Sequence, residues 1–422
     1  MKFNLAKYII PSVISMVLIG TYTTIDGLFI GDASGDAGLA AVNFAWPIVA
    51  FITSVGTGIG VGGAIVINHL RGKEEIAAAE TAKCAALKLL VIAGVVVTML
   101  TILTYSPLLI VMGAKVETLV YAQEYSRVIS FGALFQIMGS GLLVLLRNEG
   151  KTVRAMLYTV VGLAVHIALD ALLVQRYILR GVAISTVISQ LVVAVLCAAS
   201  FRLPRKEDAL KTSGADILSS SLAPFGLNFV PSAVLLFTNY FAMRSGGTEM
   251  VSAYAVMSYA VYFYDYLCQG VCDGIQPVVS YTHGARDSLQ KKKTLFTAAL
   301  VLAVASCGFV ALTPVLVNNM PKIFSVSTET ENYIRRGFVI YAASYPLKAM
   351  VKLVCAYYYS IKKLWVSNIL TYLDPLLFTP LSLMLASSFA WQDGIWLSLP
   401  LSQAAVMVVF LPIFMMQRRN QI

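Results

Sequence analysis

Residues 56–63 read Gly-Thr-Gly-Ile-Gly-Val-Gly-Gly, and the next glycine is Gly72. How this run is read decides the fold. A glycine-rich loop for a dinucleotide follows a strand and opens a helix in a soluble βαβ unit. Here the run lies inside the charge-free segment 38–67, with no soluble strand before it. Glycines at i and i+4 instead let two helices approach closely in lipid. The run therefore reads as a packing face of a membrane helix.

Composition says the same of the whole chain. Of 422 residues, 58% are hydrophobic and only 12% charged, against roughly 25% charged in a soluble domain; the mean hydropathy is +0.79. Segments 89–114, 181–201, 217–243 and 294–321 contain no Asp, Glu, Lys or Arg. Each is long enough for a helix across a hydrocarbon core of about 30 Å, which takes roughly 20 residues. In lipid the backbone must satisfy its own polar groups, and the alternating segments of about 10 residues that mark a β-barrel are absent. The spacing predicts twelve spans: 8–30, 38–67, 84–112, 118–146, 154–178, 181–201, 217–243, 250–280, 293–320, 332–360, 363–389 and 394–416. The first is expected to act as its own insertion signal. Cysteines 84, 197, 268, 272, 307 and 355 lie in or beside apolar stretches without zinc-type spacing, so no metal site is expected.

The glycine run recurs. Gly58, Gly62 and Gly72 match Gly270, Gly274 and Gly284 at a shift of 212, while Gly181-x3-Ser185-x3-Ser189-Gln190 matches Gly394-x3-Ser398-x3-Ser402-Gln403 at 213. Pro11 matches Pro224 at the same shift. With six spans per copy, both copies share one orientation, making parallel repeats related by an axis along the membrane normal. The expectation is an all-α integral membrane protein of two six-helix bundles: an N-lobe at 1–204, a hydrophilic cytoplasmic linker at 205–216 and a C-lobe at 217–422. Twenty Lys and Arg fall on the termini, the linker and the loops of one side, among them Arg71, Lys83, Arg147, Lys151, Lys211 and Lys291; seven, such as Arg176 and Arg335, fall on the other. The positive-inside rule then places both termini in the cytoplasm. The net charge of +10 reflects this topology and implies no nucleic-acid partner.

Several motifs carry a resemblance. Asp26-Gly-Leu-Phe-Ile-Gly31 closes the first span after Pro11, and Gly60-Val-Gly-Gly-Ala64 leads to Asn68. Leu146-Arg-Asn-Glu-Gly-Lys151, Gly274-Ile-Gln-Pro-Val-Val-Ser-Tyr281 and Gly394-Ile-Trp396 follow in order. In this order, and with the repeat, the chain resembles the multidrug and toxic compound extrusion (MATE) family, in its bacterial multidrug-efflux-like branch. The resemblance implies a V-shaped, two-lobed antiporter of the inner membrane that exports small organic, amphiphilic or cationic compounds by alternating access, driven by H⁺ or Na⁺. It also implies that Asp26, His166 with Asp170, and Thr186 serve ion coupling. No cofactor beyond the coupling ion is expected. No Walker A sequence occurs, so ATP-driven transport by this chain alone is not expected, and a gradient-driven antiporter requires no ATPase partner; substrate, membrane lipids and a monomeric state complete the expectation.

The residues support this independently. Asp170 lies inside span five, His166 one helical turn before it, and a charge at such depth needs a partner or a function. The family pattern has Asn where this chain has His166; an imidazole is a poorer Na⁺ ligand than an amide oxygen, so H⁺ coupling is favoured over Na⁺. Pro11 removes an amide donor and marks a hinge in the first helix. The C-lobe offers Asn239 (at the place Asp26 holds in the first copy), Tyr262, Asp265, Asp273, Lys348, Lys352 and Asp374 as cavity residues. Ion pairing among the lysines and aspartates is the plain reading, and contact with an anionic or zwitterionic substrate the sharper one. A lipid-linked saccharide flippase and, from another class, a membrane-embedded lipid-modifying enzyme are the alternatives; the latter needs clustered catalytic groups, and the three histidines are far apart in sequence.

Overall fold

The computed structural model describes the backbone of residues 4–112, 114, 116–201, 209–324 and 326–419, and among these it contains no strand. The N-terminal half holds α1 (Ala6–Gly72), α2 (Ile76–Val111), α3 (Val116–Phe131), α4 (Ala133–Asn148) and α5 (Thr152–Ala198). The C-terminal half holds α6 (Ala209–Phe229), α7 (Pro231–Gly284), α8 (Ser288–Ile323), α9 (Thr328–Ala342), α10 (Ser344–Ser360), α11 (Leu364–Leu373), α12 (Thr379–Ala390) and α13 (Gly394–Arg419). Lys2, Lys115, Arg202, Arg205, Lys206 and the side chain of Lys211, on which part of the orientation expectation rests, lie outside the described residues. Of the expected linker 205–216, residues 209–216 form the first turns of α6.

Among the described residues, seven helices are long and apolar enough to cross a membrane, or nine when the bent pairs α3–α4 (59°) and α9–α10 (49°) each count as one span. Two of the seven, Ala6–Gly27 and Gly38–Gly72, come from α1. At 1.5 Å per residue the 47-residue α5 would run about 70 Å, more than twice the hydrocarbon thickness. It breaks at Ile178 (φ 47°, ψ −127°) into two rods. That break, the segment 248–284 beyond the kink at Gly246–Gly247, and Gly394–Phe410 supply the other three of twelve helical passes. Segment 248–284 falls short on apolarity because it carries Asp265, Asp273 and a run of tyrosines.

Large apolar side chains stay outward, including Leu103 at 77% exposure on α2 and Phe296 at 72% on α8. Water would penalise such a surface, while lipid solvates it. Inside, one core gathers mainly residues of α1 to α5, and a second gathers α7 to α11 and α13 with Ile9 of α1.

The repeated glycines join the two halves. Gly58 and Gly62 press α1 against Ser221 and Phe225 of α6; Gly270 and Gly274 press α7 against Val13 and Ile9 of α1. Ile9 and Val13 are the counterparts of Ser221 and Phe225 at the shift of 212, so the sequence repeat is a two-fold contact in space. Gly72 and Gly284 close it, a Cβ on either meeting the other helix's backbone oxygen at 2.1 Å. Gly56 and Gly60, on another face of α1, pack on α4 at Ile137 and Gly141.

Candidate functional site

Asp26 on α1 and His166 on α5 are 140 residues apart, yet His166 Nε2 lies 2.5 Å from Asp26 Oδ1. The same nitrogen is 3.1 Å from Asp170 Oδ2, one turn further along α5. The side chains of His166 and Asp170 are fully buried and that of Asp26 is 19% exposed. Tyr22, one turn before Asp26, lays its ring on His166 at 4.6 Å between centroids. One imidazole nitrogen and two carboxylate oxygens within 4.8 Å of one another form a donor set for a proton or a small cation.

Thr186 donates its hydroxyl to the Val182 carbonyl of its own helix at 2.9 Å; Ser185, fully buried one residue earlier, likewise donates to the Gly181 carbonyl at 3.0 Å and lies beside both His166 and Asp170. Sequence reading missed Tyr22 and Ser185. The i−4 spacing of Tyr22 from Asp26 was the available signal for the first.

Pro11 lies inside α1, which is helical through it. Its missing N–H leaves the Lys7 carbonyl without its helical donor, and the Thr152 hydroxyl of α5 supplies one at 2.5 Å. Gly270 and Gly274 of α7 clamp the same turn.

The motif 146–151 resolves residue by residue. Arg147 Nη1 reaches Asp273 Oδ2 of α7 at 3.3 Å, both side chains at most 7% exposed, tying α4 to the other half. Asn148 Oδ1 accepts from Asn68 Nδ2 at 2.7 Å. Glu149, outside the spans, pairs with Lys83 and, at 3.0 Å, with Lys151. Burial works against its charge, but the two ammonium groups outweigh it and hold Glu149 below the usual glutamate range. Gly150 takes the left-handed turn, φ +80°, that a side chain would strain.

In the C-terminal half a cavity of about 120 Å³ opens between α6, α7, α10, α11 and α13, lined by Tyr262, Asp265, Lys348, Lys352 and Asp374. Lys348 Nζ lies 2.6 Å from Asp265 Oδ2, and Lys352 Nζ 3.4 Å from Oδ1. Asp374 opens a π-helical turn, Asp374–Phe378, where Pro375 interrupts the hydrogen-bond ladder; Gln403 Nε2 donates to its Oδ2 at 2.5 Å. Asn239 does not line this cavity, and Asp273 instead meets Arg147. The tyrosine cluster also divides: Tyr254, Tyr262 and Tyr341 face the cavity, whereas Tyr264 is a core residue donating to the Tyr345 carbonyl at 2.7 Å.

A two-fold helical bundle with a buried ionisable cluster in one half and a charged cavity in the other defines a membrane transporter fold. The MatE family model matches residues 11–172 and again 226–382, one match in each repeat, and the chain belongs to this family of multidrug efflux transporters. The multidrug export protein MepA of Staphylococcus saprophyticus is 23% identical over 316 residues, 71% of this chain and 69% of the relative. That of Staphylococcus haemolyticus is 21% identical, covering 78% and 75%. Among solved structures, a MOP superfamily transporter from Pyrococcus furiosus, for which reverse polarity of the binding pocket suggests a different function, superposes with a TM-score of 0.90 at 22% identity, covering 98% of this chain and 95% of that one. An outward-facing multidrug resistance MATE transporter gives 0.88 at 22% identity, covering 96% and 93%.

Proposed function

We propose that this chain is an H⁺-driven antiporter that exports small amphiphilic organic compounds by alternating access, with its termini on the cytoplasmic side. The Asp26–His166–Asp170 cluster carries the reading. It joins α1 to α5 through the one side chain whose ordinary titration falls between pH 5 and 8, and it is buried where an unshared charge is expensive. A proton taken up there neutralises Asp26 and weakens the tie between the two helices. Pro11 then offers the place where α1 bends. Because His166 Nε2 stands between the carboxylates, where a Na⁺ site calls for an oxygen ligand, the reading favours H⁺. The C-terminal cavity is the compartment for the transported compound, and no cofactor beyond the ion is required.

Proteoliposomes with an imposed pH or Na⁺ gradient test this. Asp26→Asn and Asp170→Asn are each expected to abolish gradient-driven transport while leaving membrane insertion intact. Retained transport in both variants, or drive by Na⁺ alone, would overturn it. A lipid flippase predicts lipid movement without net ion flux, which the same vesicles report.

A further inference from the structure

The C-terminal cavity holds more positive charge at its ion pair than that pair uses. Asp265 is shared by two lysines: Lys348 binds Oδ2 at 2.6 Å, while Lys352 lies 3.4 Å from Oδ1 and donates to the Asp265 backbone carbonyl at 3.1 Å. A structural pair inside a bundle needs one cation for each anion, and a second buried ammonium raises the desolvation cost without a second partner. All three side chains keep 16–18% exposure, on the wall of the cavity. Facing them, Asp374 is held by the Gln403 amide rather than by a lysine, with the Ser402 and Thr379 side chains beside it, while its Oδ1 is buried and receives no hydrogen bond.

We propose that this cavity binds amphipathic compounds that carry a carboxylate with an N–H or O–H donor beside it. Resting on the reading of the cavity as the transport compartment, this names what it accepts. The lysine pair takes the carboxylate, so that each ammonium gains an anion of its own. Asp265 already shows the geometry, being itself a carboxylate held by both. The unpartnered Asp374 Oδ1 accepts from the donor, removing a buried unsatisfied acceptor. Tyr254, Tyr262 and Tyr341 with Val261 and Leu399 cover the apolar body. A purely cationic compound leaves the two lysines sharing Asp265 as their one anion, so the cavity favours compounds that bring a carboxylate.

Three probes with one phenyl-alkyl body separate the possibilities: 4-phenylbutyrate, 4-phenylbutylamine and the zwitterion 2-amino-4-phenylbutyrate. Binding to the purified full chain in detergent is read by calorimetry, without any ion gradient, so a failure of the proton-coupling reading leaves this result standing, and the reverse. The two carboxylates are expected to bind at least tenfold more tightly than the amine, the zwitterion best. Lys348→Met and Lys352→Met should each lose most of that preference, while Lys348→Arg, which keeps the charge, retains it. Asp374→Asn should weaken the zwitterion and leave the butyrate unchanged. An amine that binds as tightly as the butyrate, no binding of any probe, or an order unaltered by the Met variants overturns the proposal.

Discussion

Replacing Asp273 with Asn should pull the two halves apart. At 3.3 Å, two unit charges attract by about 5 kcal/mol at an effective dielectric near 20, and desolvation of both groups offsets much of that. The asymmetry matters more than the pair's net worth. Removing one partner leaves Arg147 buried without an anion, which costs about 3–5 kcal/mol. Separation of α4 from α7 would give Arg147 water and avoid the cost. A loss of about 3 kcal/mol moves an equilibrium between packed and separated halves on the order of a hundredfold. The assay uses a cysteine at Ser221, buried where α6 meets Gly62, in a Cys307→Ser background; the other native cysteines are buried. Maleimide labelling of this site should accelerate tenfold to a hundredfold in Asp273→Asn. The charge-swapped pair Arg147→Asp with Asp273→Arg should bring it back towards the original rate. A folded Asp273→Asn protein that labels no faster, or a swap that labels as fast as the single variant, would refute the reasoning.

Further outcomes follow from contacts of the same kind. Thr152→Val removes the donor to the Lys7 carbonyl and should lower stability by about 1–3 kcal/mol, measured as melting in detergent; in a Pro11→Ala background, where the restored N–H takes that carbonyl, the loss should shrink to well under half. Gly274→Ala places a Cβ 2.7 Å from the Ile9 Cα, backbone against backbone, and should cost about 1–3 kcal/mol, whereas Gly308→Ala, with nothing within 4 Å, should be neutral or slightly stabilising; the same melting assay separates them. Because Glu149 is held below its ordinary range, its pairing contributes stability above the unfolded glutamate value, about 4.3, and loses it as pH falls through the lower folded value. Glu149→Gln should therefore lower melting at pH 7 and leave little difference in strong acid.

The sequence alone determined the solvent and the symmetry. Charge-free stretches such as 89–114 can only be stable in lipid as helices, and a glycine pattern repeated at one shift demands two copies of one bundle. It also picked out Asp26, His166 and Asp170, because an ionisable residue deep in an apolar span has few harmless explanations. The i, i+4 spacing put two of them together; that Asp26 joins them needed only the family order of motifs. What the sequence left open were relations between residues far apart in the chain. Asp273 looked like a cavity residue by its neighbours, and only the assembled bundle, which brings the long Arg147 side chain of α4 within reach of α7, gave it to Arg147. Thr186 and Ser185 both turn their hydroxyls back on their own helix, to Val182 and Gly181, and which of the two lies beside His166 and Asp170 depends on how that helix is rotated against its neighbours. The glycines that first read as helix packing turned out to be the seam between the halves, Gly58 and Gly62 on one side answering Gly270 and Gly274 on the other. Local pattern fixes which helices form and which face is small or apolar, whereas partner choice for a buried charge depends on where another helix brings its counter-charge, and that is decided only when the bundle closes.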